Sequence, residues 1–221
     1  MTDFAAARIN MVENQVRCNA VTDARLIAAM SSVPRELFVP DDRRGVAYMD
    51  EDVSLDDGQG AGRYLMQPRA FAKLAQLAEV QESDHVLDIG AGPGYSSAVL
   101  SRLARTVIAL EVDEVLAATA TTKLAELGAS NVTVVTGRLN EGYAKGAPYD
   151  VIFLGGATPV APENLFDQLK DGGRLVVVTG SGPAAHARIF IRAHGAISSR
   201  MAFDAKIHAL PGFEVAESFV F

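Results

Sequence analysis

Only one cysteine, Cys18, stands among the 221 residues. That excludes an internal disulfide and any zinc site built from several cysteines. Long apolar runs are missing too: stretches such as Leu175 to Val178 fall far short of the roughly 18 residues that cross a bilayer. Basic residues are scarce, with 20 Lys and Arg against 27 Asp and Glu for a net charge of −7. A nucleic-acid partner is therefore not expected, since affinity for a phosphate backbone comes largely from cations. His85, His186, His194 and His208 share neither an i,i+4 nor a His-x-His spacing, so no metal site is expected and the histidines read as surface or capping groups. No Gly-x-Ser-x-Gly surrounds Ser96 or Ser181, which removes the hydrolase nucleophile turn. The first residues show no basic stretch leading into an apolar one, so no secretory leader is expected. Together these absences point to a cytoplasmic protein, with Cys18 packed among helix-like residues rather than reactive.

What remains is ordinary globular material, 49% hydrophobic and 21% charged, enough for one domain or one domain with an appendage. Residues 1–80 differ in character from residues 81–221. Met1 to Asn19 and Asp23 to Met30 have helical spacing, with Thr22 placed to cap the second helix. Pro34 and Pro40 bracket a compact segment. The stretch from Asp41 to Met66 is rich in acids and glycines, with a short strand expected near Val53; a loop of that length suggests a lid or substrate wall. Helical spacing returns from Arg69 to Ala78.

From Val86 onward, apolar strands and helices alternate. Strands are expected at 86–90, 106–111, 132–136, 150–154 and 173–179, with helices near 94–104, 114–127 and 162–169. Gly128 reads as a helix stop and Gly172-Gly173 as the turn into the fifth strand. Further strand candidates lie at about 187–193, 198–203 and 214–220. The alternation predicts an α/β fold: a doubly wound, mostly parallel sheet with helices on both faces and an N-terminal helical and loop cap over residues 1–80.

The most informative stretch is Val86-Leu87-Asp88-Ile89-Gly90-Ala91-Gly92-Pro93-Gly94-Tyr95. A buried strand runs into three glycines at alternate positions, and a helix starts behind them. Such a corner lets backbone approach a ligand closely. A dinucleotide fingerprint would place its third glycine at position 95, where this chain has Tyr95. The spacing is instead Gly-x-Gly-x-Gly, with Asp88 two residues ahead. That pattern resembles the first motif of class I S-adenosylmethionine-dependent methyltransferases, whose ligand is a cationic sulfonium amino acid. The apolar strand from Thr106 ends in Glu111, which follows Asp88 at the interval expected of an acid that accepts both ribose hydroxyls.

More of the chain resembles one family, the protein-L-isoaspartate O-methyltransferases. Val33-Pro34-Arg35-Glu36-Leu37-Phe38-Val39-Pro40, followed by Ala47-Tyr48-Met49-Asp50, is close to that family's V-P-R-E-x-F-V-P and A-Y-x-D. The stretch Val86 to Tyr95 is similar to its V-L-E-I-G-T-G-S-G-Y. Gly128 to Val132, Tyr149 to Ile152, Pro159 to Pro162 and Gln168 to Leu175 fit its later motifs. The resemblance covers roughly residues 10 to 180. It implies a seven-stranded methyltransferase sheet, S-adenosylmethionine as cofactor, and methyl transfer to the carboxylate of isoaspartyl residues in damaged proteins, by a monomer without nucleic-acid or membrane partners. It also implies that Asp88, Gly90, Ala91, Gly92, Gly94, Tyr95, Glu111, Val112, Arg138 and Leu139 surround the cofactor.

Departures fall beside the acceptor. The family has a G-Q-T-I-S-Q-P loop, whose Thr and Ser lie next to the methyl donor and the isoaspartyl carboxylate. Aligned on Gln67-Pro68, this chain places Tyr64 and Met66 at those two positions, which makes them the residues expected at the reacting centre. Aligned on Gly58-Gln59, it places Gly60-Ala61-Gly62 there and needs an insertion. Either way Gly58 to Met66 would close over the acceptor. The family's G-D-G after the third strand is here Gly137-Arg138-Leu139, a cation in place of an acid. Arg63 and Arg138 are both candidates to contact an acceptor carboxylate or phosphate. Two further readings stay open at this point: a methyltransferase with another acceptor, and a non-catalytic relative that binds the cofactor or a partner.

Overall fold

The computed structural model describes residues 3–56 and 62–214; all but the first residue of the strand expected at 214–220, and the Gly58-Gln59 part of the loop, lie outside them. Helix α1 (Phe4–Met11) begins at Asp3, whose carboxylate accepts from Ala6 N at 3.0 Å, and continues through a π turn (Val12–Val16) and a 3-10 turn (Arg17–Asn19). Cys18, in the 3-10 turn, is exposed, its Sγ donating to the Asn14 carbonyl at 2.6 Å, so the packed cysteine expected from sequence is corrected. Helix α2 (Ala24–Ser32) is capped by Asp23, not by Thr22: the Asp23 carboxylate accepts from Arg25 N and Leu26 N at 2.8 and 3.2 Å. A carboxylate there satisfies two of the free amides at the helix start.

Strands β1 (Val53–Ser54) and β2 (Tyr64–Leu65) make a two-residue antiparallel ribbon. Helix α3 (Pro68–Leu77) starts with proline in its first turn, where the missing amide is not needed. Next come β3 (His85–Ile89), α4 (Tyr95–Leu100), β4 (Thr106–Glu111), α5 (Glu114–Glu126), β5 (Val132–Thr136), β6 (Tyr149–Thr158), β7 (Leu169–Thr179), β8 (His186–Ala193) and β9 (Ala196–Asp204). The seven-stranded sheet runs β5-β4-β3-β6-β7-β8-β9, parallel from β5 to β7 and antiparallel through β8 and β9. The expected doubly wound, mostly parallel sheet is therefore present.

Two element expectations change. The segment expected as a helix over 162–169 is a 3-10 turn (Glu163–Gln168), cut off where β7 starts at Leu169. Gly172 and Gly173 lie inside β7 at an irregularity of the β6–β7 register, not ahead of the strand.

The order of the sheet places the ends of β3 and β4 side by side, with β6 on the other side of β3. One hydrophobic cluster unites the cap with a face of the sheet: Met11, Leu26, Met30, Phe38 and Phe71 pack with Val86, Val99, Val107, Val151 and Val176. A second cluster, with Leu87, Ile89, Leu110, Leu154 and Leu175, fills the opposite face. No described helix is long and apolar enough to cross a membrane.

Candidate active site

Each glycine of the Gly-x-Gly-x-Gly turn has positive φ: +77° at Gly90, +55° at Gly92 and +103° at Gly94. A side chain at these positions would be strained. The turn is latched to the next strand, as Gly90 N and Ala91 N both donate to the Leu110 carbonyl at 2.9 and 3.2 Å. Below it, Asp88 is fully buried and its Oδ2 accepts from Ser96 Oγ and Ser97 Oγ at 2.6 and 2.5 Å. Its Oδ1 is buried with no partner among the described residues. Burial pushes the Asp88 carboxyl up to about 6, with the two serines and Arg63 opposing and Glu111 assisting.

Glu111 ends β4 and is also fully buried. Its Oε1 accepts from Val112 N and Asp113 N at 2.9 and 3.1 Å, and its Oε2 accepts from Gly92 N at 2.7 Å and from the Arg63 guanidinium at 2.6 Å. Arg63 is only 4% exposed. This pairing was not foreseen: the sequence offers Arg63 to an acceptor's carboxylate, whereas the fold gives it to Glu111. Forty-eight residues separate the two in sequence, so no local spacing could have shown it.

Tyr64 and Met66 line the same hollow as Arg63, Asp52, Gly155, His208 and Leu210. The rings of Tyr64 and His208 stack face to face, 3.5 Å apart and 5° from parallel. His208 Nε2 lies 3.8 Å from the Asp52 carboxylate, whose carboxyl is raised mainly by burial. His208 thus belongs to the site's wall, a role its isolated position in sequence did not signal. Met66 is buried, and its carbonyl accepts from Arg35, a fully buried guanidinium lying 4.8 Å above the Tyr95 ring.

Other expected cofactor residues fall differently. Tyr95 starts α4 but turns its ring into the cap, against Phe38 and Phe71. Val112 stands partly exposed beside Glu111. Leu139 is buried in the second cluster, where it serves packing. Arg138 points to solvent and pairs with Glu141 at 3.1 Å. Its charge is therefore answered on its own turn, not at the glycine corner. Among the described residues no group of three or more His, Cys, Asp or Glu could hold a metal ion.

The donor set fits an S-adenosyl ligand: an orphaned buried acceptor under a glycine turn suits a cationic amino acid, and a carboxylate at the end of β4 suits a ribose diol. The hollow itself has about 10 Å³ of space, at the lower limit for one water molecule.

Residues 7–203 match the family model described as protein-L-isoaspartate(D-aspartate) O-methyltransferase. A Koribacter versatilis protein named protein-L-isoaspartate O-methyltransferase is 37% identical over 204 residues, covering 92% of this chain and 90% of that protein. A Synechococcus protein of the same name is 42% identical over 181 residues, covering 82% and 72%. Among solved structures, one of a protein-L-isoaspartate O-methyltransferase superposes with a TM-score of 0.80 at 26% identity, over 93% of this chain and 66% of that one. A Plasmodium falciparum protein described as a beta-aspartate methyltransferase, solved with S-adenosyl-L-homocysteine, shares the fold at a TM-score of 0.76 and 18% identity, covering 95% and 99%.

Proposed function

Because the chain belongs to the protein-L-isoaspartate (D-aspartate) O-methyltransferase family, we propose that its glycine turn and Glu111 hold S-adenosylmethionine and that Tyr64 and Met66 flank the acceptor. The chain is an S-adenosylmethionine-dependent methyltransferase that acts on the carboxylate of isoaspartyl residues in damaged proteins. One observation carries the assignment of the site: Asp88, the Gly90–Gly94 turn and Glu111 meet at the adjacent ends of β3 and β4, facing the β1–β2 ribbon that carries Tyr64.

When bound, the cofactor supplies a methyl group on a sulfonium. Glu111 would accept the ribose hydroxyls, the backbone of Gly90 to Gly94 would lie against the methionine part, and Asp88 would supply negative charge beneath its ammonium. An acceptor carboxylate is ionised at neutral pH, so the protein needs no strong general base. Its task is to hold oxygen, methyl carbon and sulfur in line. The stacked pair Tyr64–His208 and buried Met66 would form a stiff wall for that purpose and keep water from the reacting atoms. Arg35, through the Met66 carbonyl, is a positioning residue.

The wall also favours a second reading, an acceptor other than an isoaspartyl peptide, because on the Gln67-Pro68 alignment Tyr64 and Met66 stand where the family has Thr and Ser. A hydrogen bond to a charged group contributes about 1.5–3 kcal/mol, so restoring both hydroxyls by Tyr64→Thr and Met66→Ser should raise kcat/KM for an isoaspartyl peptide about tenfold or more. The test is methyl transfer from labelled cofactor to such a peptide, with its normal aspartyl isomer as control. Isomer-independent transfer would reject the repair reading. We read the enzyme as a cytoplasmic monomer, supported by one chain bringing all these residues together, and as having no nucleic-acid partner, supported by its net charge of −7.

A further inference from the structure

We propose that Arg63 and Leu210 form a displaceable stopper in the cofactor site, so that the cofactor enters by exchanging with their two side chains. The inference rests on the reading that Glu111 and the glycine turn bind S-adenosylmethionine. A carboxylate offers about four acceptor positions, and at Glu111 four donors use them. Three are the amides of Gly92, Val112 and Asp113, fixed by the turn and by the end of β4. The fourth is the Arg63 guanidinium, the only one of the four carried on a side chain. Ribose hydroxyls can reach this carboxylate only where Arg63 leaves it.

Leu210 blocks the other half. A Cβ built on Gly90 would lie 2.5 Å from Leu210 Cδ2 and 3.4 Å from Arg63 Nη2, and one built on Gly156 would lie 2.8 Å from Leu210 Cγ. The Gly90 end of the turn, where a ligand would lie, is thus covered by this leucine. Leu210 is 3% exposed.

Both side chains can leave while their backbones stay. Arg63 is anchored by its own amide on Asp56 at 3.1 Å and by Leu55 N on its carbonyl at 2.9 Å. Leu210 is anchored where Ala157 N donates to the His208 carbonyl and Leu210 N to the Ala157 carbonyl, at 2.9 and 2.8 Å. Exchange therefore needs side-chain rotation more than unfolding. Arg63 also holds its place imperfectly, since its Nε is buried with no partner among the described residues, and such a donor carries a desolvation cost that release to water removes. The Tyr64–His208 stack joins the neighbours of the two side chains, so the two halves are mechanically linked.

The experiment is calorimetric titration of S-adenosylhomocysteine into the intact protein and into Arg63→Ala and Leu210→Ala, each first shown folded by circular dichroism and a cooperative melt. Removing a competing charge-assisted bond should tighten binding tenfold to a hundredfold for Arg63→Ala, with a smaller gain for Leu210→Ala. Stopped-flow association should saturate with ligand concentration in the natural protein, as opening becomes limiting, and saturate less in either variant. Binding by the natural protein that both folded variants leave unchanged or weaken overturns the stopper, and weakening in Arg63→Ala would instead make Arg63 a ligand-binding group. No binding by any of the three overturns the cofactor reading itself.

Discussion

Asp88→Asn should make the protein more stable at pH 8 and little changed at pH 4. The carboxyl titrates at about 6 in the fold against 3.8 for the ordinary group, chiefly because it is buried beneath the glycine turn. Between those values the unfolded chain is ionised while the folded one keeps its proton. Unfolding then releases a proton, and stability falls as pH rises through this window. At about 1.4 kcal/mol per pH unit the full cost above pH 6 is about 3 kcal/mol. Asparagine is neutral throughout and can still accept from Ser96 and Ser97, which hold Oδ2 now. Its amide would occupy the place of Oδ1, which has no partner among the described residues to lose. Allowing for that unsatisfied amide, a gain of about 2 kcal/mol at pH 8 is expected. Urea unfolding of both proteins at pH 4, 5, 6, 7 and 8 measures it, with the difference between the two curves cancelling every other titrating group. Parallel curves would refute the reasoning, showing that the natural carboxylate ionises at no cost inside the fold.

Glu111→Ala should cost about 3–5 kcal/mol in urea unfolding at pH 7, because it strands the nearly buried Arg63 and three backbone amides; a loss below about 1 kcal/mol would contradict the described network. The same variant should lose S-adenosylhomocysteine binding by calorimetry. Arg138→Ala should change that binding by less than about twofold, since Arg138 faces solvent and pairs only with Glu141 among the described residues; a tenfold loss would return it to the cofactor edge.

The sheet was readable because β3, β4, β6 and β7 each contain a short buried apolar run, such as Val151 to Leu154 and Leu175 to Val178, set off from the next by a helix or turn. Glycine spacing marked the corner for a similar reason, since positive φ at Gly90, Gly92 and Gly94 narrows the choice of residue. Helix caps and strand starts were less legible. Thr22 and Asp23 are both good capping residues, and only the actual path of the chain chooses between them. Least legible were contacts between distant segments. Arg63 on Glu111, His208 on Tyr64 and Leu210 over Gly90 join parts of the chain that no periodicity links. Ser96 and Ser97, which hold Asp88, lay within reach of the motif; a buried acid eight and nine residues ahead of two serines on the next helix start was the available signal.

Arg35 has a consequence for how this enzyme can diversify. It is sealed under the cap, donating to the Ala47 and Met66 carbonyls while its guanidinium lies over Tyr95 at the start of α4. One side chain thereby fastens Ala47, the segment that follows β2 and the glycine corner to each other. A cap built this way cannot be exchanged as a module, because a foreign cap would leave that corner without its support. Substitutions of the Met66 side chain, by contrast, leave that support in place, because Arg35 holds the Met66 backbone carbonyl.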